Sequence, residues 1–60
     1  MTWLLIIFLQ APGGGAVTAI PAGRMFAPEG CEFAGAAMAA ALETETGLRA
    51  SWSCTAEVAA

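Results

Sequence analysis

The sequence predicts an α+β fold, a ββαβ mini-domain whose three-stranded antiparallel sheet, in the order 2-1-3, carries one helix on one face. Three observations predict it. Residues 3–9 form an unbroken apolar run closed by Ala11-Pro12-Gly13-Gly14-Gly15; residues 28–46 are mostly strong helix formers between a proline and Gly47; residues 48–58 alternate without a slip. In that last segment Leu48, Ala50, Trp52, Cys54, Ala56 and Val58 share one parity, while Arg49, Ser51, Ser53, Thr55 and Glu57 share the other. Successive strand side chains point to opposite faces, so the segment reads as a strand with one buried and one wet face.

The first apolar run is short, partly β-branched and aromatic, the pattern of a strand covered on both faces. It predicts a strand over residues 2–10. The Pro-Gly-Gly-Gly turn follows, with glycines available for positive φ. Residues 16–20 then read as a second strand closing a hairpin, ended by Pro21, Ala22 and Gly23. The helix is predicted over 28–46, with Pro28 in the first turn and Glu29 and Glu32 near the positive end of its dipole. Gly47 supplies the left-handed cap. Cys31, Ala34, Gly35, Met38, Ala41 and Leu42 recur at the spacing of one helix face. A helix crossover after an antiparallel hairpin sets the third strand beside the first. The most hydrophobic strand is then the central one.

At 60 residues the chain is one small domain. Chains of this size bury only about 60% of their unfolded surface and usually need a staple or a partner. The parity that places Cys54 on the buried strand face, and the helical spacing that places Cys31 on the inner helix face, predict a disulfide between them. The alternative is a pair of buried free thiols, as in reducing compartments. A bridge points to an oxidising location, extracytoplasmic or on a virion surface.

Composition excludes several functions. Hydrophobic residues make up 58% of the chain and charged residues 12%, with a net charge of −3. That balance offers no basic patch for nucleic acid and no polybasic segment for an anionic membrane surface. The unbroken apolar run is far shorter than the ~20 residues of a membrane span. Residues 1–19 also resemble a leader in outline, but the run lacks a basic start and is interrupted early by Gln10 and Pro12. With no His, Lys, Tyr or Asp in the chain, general bases reduce to Glu, and neither Ser51 nor Ser53 has an activating partner. Two separated cysteines without histidine do not make a zinc site. No catalytic residue, metal ligand, cofactor or small-molecule substrate is expected.

What remains is a surface. One helix covers one sheet face, so one row of the first strand lies bare: Leu4, Ile6 and Phe8 in one parity, Trp3, Leu5, Ile7 and Leu9 in the other. Leu4, Ile6 and Phe8, together with Trp3 as an aromatic anchor, are the candidate interface residues. Contiguous apolar patches on small soluble chains mark interaction sites. The partner is a larger protein assembly or another copy of the chain.

Phe26-Ala27-Pro28-Glu29-Gly30-Cys31-Glu32-Phe33-Ala34, with the later Trp52-Ser53-Cys54, resembles a group of short phage and bacterial proteins. These have a hydrophobic first strand, an aromatic residue before a Cys-Glu helix, and a final strand carrying a second cysteine. The resemblance implies a ββαβ fold and transfers no activity. It favours an accessory subunit, such as a capsid decoration or cement protein. The other readings are a small exported bacterial protein with an N-terminal signal or anchor, and a small binding or inhibitor module.

Overall fold

The computed structural model describes residues 1–57, which form β1 (Thr2–Gln10), β2 (Thr18–Met25), α1 (Pro28–Thr46) and β3 (Arg49–Glu57) in chain order. The sheet order is β2-β1-β3, and β1 is antiparallel to both neighbours. This is the expected 2-1-3 arrangement, with the apolar strand in the centre. The whole of β1 falls within the segment that a leader reading would remove. Val58, expected within the last strand, lies outside the described residues.

β2 differs from expectation. It starts at Thr18 rather than residue 16, and it does not stop at Ile20; pairing with β1 continues through Pro21 to Met25. Two features let the chain pass Pro21. β2 is an edge strand, where a missing N–H need not break a ladder. The register also shifts between Leu5 and Ile6, where Ala22 is the extra residue of a bulge. Gly23, beside it, has φ +146°, a conformation that residues with a Cβ rarely adopt. A Pro-Ala-Gly sequence that reads as a strand end is thus an irregular edge.

The core lies between α1 and the row Trp3, Leu5, Ile7 and Leu9. Leu5, Ile7, Leu9 and Cys31 are buried, and Trp3, Ala22, Met25, Ala34, Leu42, Leu48, Ala50, Trp52 and Cys54 pack around them. The helix begins at Pro28 without a side-chain cap and ends at Gly47, whose φ is 73° and whose N–H bonds to the Glu43 carbonyl. Its buried residues are Cys31, Gly35 and Ala39, spaced by four. Ala41 and Met38, expected on the inner face, are exposed instead. Alanine is so frequent here that composition alone does not mark the buried stripe.

Gly35 explains itself through Trp52. A Cβ at position 35 would sit 2.7 Å from Trp52 Nε1 and nearer still to two ring carbons. The indole therefore lies directly on the helix backbone, and its Nε1–H donates to Glu32 at 3.2 Å. Glycine is unfavourable in a helix interior, but here its missing side chain makes room for an aromatic ring.

The Cys31–Cys54 disulfide joins the start of α1 to β3, across 23 residues of sequence and a Cα–Cα distance of 6.1 Å. Cys54 pairs with Leu5 on β1, so the bridge stands over the centre of the sheet.

Candidate docking face

Strand pairing identifies the second face of the sheet. Opposite Leu4, Ile6 and Phe8 stand Arg24, Pro21 and Ala19 on β2, and Thr55, Ser53 and Ser51 on β3. Directly paired residues share a face, so these nine side chains form one surface away from α1. Leu4, Ile6 and Phe8 are half-buried because their neighbours shield them laterally. Among the described residues there is no helix or second sheet on this side of the strand. The Cα envelope measures 38 × 21 × 11 Å, and its shortest dimension matches two stacked layers, helix on sheet.

Trp3, included among the candidate interface residues, is on the opposite face. It pairs with Met25 and Ala56 and packs against the buried cluster beneath α1. Odd-numbered β1 residues face the helix, and Trp3 follows that parity. The outer row is therefore Leu4, Ile6 and Phe8.

Polar groups close the row at both ends. At one end, Arg24 Nε donates to Glu57 Oε1 at 2.7 Å, and the Thr2 hydroxyl donates to the same oxygen at 3.2 Å. The hydrogen bond from Arg24 holds the Glu57 carboxyl below its ordinary pKa. At the other end, Gln10 faces Arg49, and Gln10 Nε2 donates to the Gly15 carbonyl at 2.9 Å. A shallow hollow there is lined by Phe8, Gln10, Val17, Arg49 and Ser51, among others. The face is thus an apolar stripe with a polar or charged border at each end.

Further large apolar side chains are exposed outside the row, most fully Phe26 at 90% and Phe33 and Met1 at 79%, then Val17, Ile20 and Met38. Phe33 could have been found from its position two residues beyond Cys31, which takes it off the buried helix stripe. Phe26 carries no comparable signal, because it falls between elements.

No group of three potential metal-ligating side chains occurs among the described residues, and no described helix is long and apolar enough to cross a membrane. No family model, curated protein or solved structure matches this chain. Function is therefore read from the chain's own surface.

Proposed function

We propose that this is a non-enzymatic accessory subunit that docks onto a larger protein assembly through Leu4, Ile6 and Phe8, in the manner of a capsid decoration or cement protein. The uncovered outer row supports this reading. Three large apolar residues in the central strand, rimmed by Arg24, Glu57 and Arg49, provide an anchor line and a polar border. Fully burying a large aliphatic or aromatic side chain stabilises by about 1.5–3 kcal/mol; these three start half-buried, so each retains part of that. Association costs take a further share. A disulfide is compatible with an oxidising setting, and an exposed virion surface is one such setting.

Sedimentation tests the reading in the cells that naturally express the chain. Tagged wild type should travel with particles far heavier than a 60-residue chain. Ile6→Glu should remain light while retaining the wild-type far-UV circular dichroism. If both sediment alike, heavy or light, the outer row is not a docking face.

A further inference from the structure

The hollow at the Gln10 end of the outer row holds chemistry that the row itself does not use. Its volume is about 370 Å³, within the range of about 300–1,000 Å³ usual for ligand sites. Phe8 and Val17 form apolar walls, and Gln10, Glu43, Arg49 and Ser51 supply polar groups. Two of these side chains are held by backbone. Gln10 Nε2 donates to the Gly15 carbonyl at 2.9 Å, and Glu43 Oε1 accepts from the Ala50 N–H at 3.0 Å.

Arg49 is the unusual member. The chain has two arginines and neither lysine nor histidine. Arg24 is neutralised by Glu57, the one ion pair among the described residues. Arg49 is thus the one basic side chain among them without a carboxylate partner, although Glu43 lines the same hollow. It stands opposite Gln10 in the β1–β3 register, as Ser51 stands opposite Phe8, so these four side chains share the outer face. A guanidinium presents its donors in a planar fork that fits a carboxylate bidentately.

We infer that this hollow binds a carboxylate joined to an apolar group: the C-terminal residue of an extended segment of the docking partner. The inference rests on the docking reading, which lays a partner along Leu4, Ile6 and Phe8 and so brings it to the hollow. The carboxylate pairs with Arg49 and accepts from the Ser51 hydroxyl. The last side chain of the segment lies against Phe8 and Val17. Capture of a chain's C-terminal carboxylate is a recurring mode of peptide recognition.

Glu43 sets the selectivity. Its negative charge opposes a second negative charge in the ligand, so an acidic last residue and a phosphate dianion are disfavoured. Its Oε1 is engaged by Ala50, which leaves Oε2 to accept an N–H from the bound segment.

Peptide titration tests it, with acetyl-Ala-Leu as the probe and NMR amide signals of Ser51 and the Gln10 side chain as the readout. The free acid should shift both signals saturably, with a Kd on the order of 1 mM for so small a ligand. The C-terminal amide of the same peptide, acetyl-Ala-Glu and inorganic phosphate should each bind roughly 5-fold more weakly or worse, the share of one exposed charge pair. Arg49→Gln should erase the preference for acid over amide while its far-UV circular dichroism stays that of wild type. Val17→Ser should weaken acid and amide alike. Docking itself is read from the sedimentation of Ile6→Glu, so failure of that reading and failure of the carboxylate site give separate results. Equal binding of acid and amide, phosphate bound as tightly as the acid, no shift at Gln10 and Ser51, or an Arg49→Gln variant that keeps the preference overturns the proposal.

Discussion

Replacing Gly35 by alanine should destabilise this protein, against the usual effect of removing glycine from a helix. In a helix interior, Gly→Ala ordinarily contributes up to about 1 kcal/mol. At position 35 the new methyl group would lie 2.7 Å from Trp52 Nε1 and closer to two other ring atoms. Relief requires the indole or the helix to move. Overpacking of this kind costs about 1–3 kcal/mol, and displacement of the indole also gives up its hydrogen bond to Glu32. The expected net loss is about 1–2 kcal/mol. For a domain of this size, that lowers Tm by roughly 4–16 °C.

Gly30 is the internal control. It lies in the same helix with open space where its Cβ would be, so Gly30→Ala should hold or raise Tm. Thermal unfolding of the oxidised protein, followed by tryptophan fluorescence and far-UV circular dichroism, reads both variants. In a Trp52→Ala background, the Gly35→Ala penalty should vanish. If Gly35→Ala is as stable as wild type, or if the penalty persists without Trp52, the close approach of ring and backbone is not what retains glycine there.

Other expectations follow from features on the far side of that contact. Thiol titration of the native protein should find no free sulfhydryl, and Cys54→Ser should cost about 3 kcal/mol, the chain-entropy value for a loop of this length. Ile7→Glu, at a position only 1% exposed, should abolish folding as read by circular dichroism, whereas Ile6→Glu on the outer row should not. Because the Glu57 carboxyl is held below its ordinary value of 4.5, its contribution is present above that pH and is lost as pH falls through the lower, folded-state pKa. Acid titration of stability in low salt should therefore show a small loss below about pH 4.5, and Arg24→Met should remove it.

Much of the fold could be read from periodicity. The alternation through Trp52 and Cys54 gave both the last strand and the side on which the bridge forms. The unbroken run through Ile6 and Ile7 identified the central strand, since only a central strand needs to be apolar on both faces. Other points were less legible, each for a local reason. Pro21 marks the end of a regular strand but is compatible with a bulged edge. In an alanine-rich helix the buried stripe is set by what lies opposite, so Ala39 rather than Ala41 is inside. Trp3 has the chemistry of an interface anchor, and only its parity with Leu5 places it beneath the helix. Glycine at position 35 is unfavourable for a helix taken alone, and only the ring of Trp52 packed against it accounts for it.

The pairing of β1 has a consequence for biogenesis. Its first residue, Thr2, pairs with Glu57, so the strand made first waits for the strand made last. β2 follows after a short turn and can close its side of β1 early. The other side stays open for the several seconds of synthesis that separate the two ends, at ribosomal rates of about 5–20 residues per second. During that interval the most aggregation-prone strand of the chain has one free edge. Oxidation cannot secure the fold before then, because Cys54 arrives with the strand that completes it. The yield of native protein should therefore depend on what shields residues 2–10 during translation more than on the final stability of the sheet.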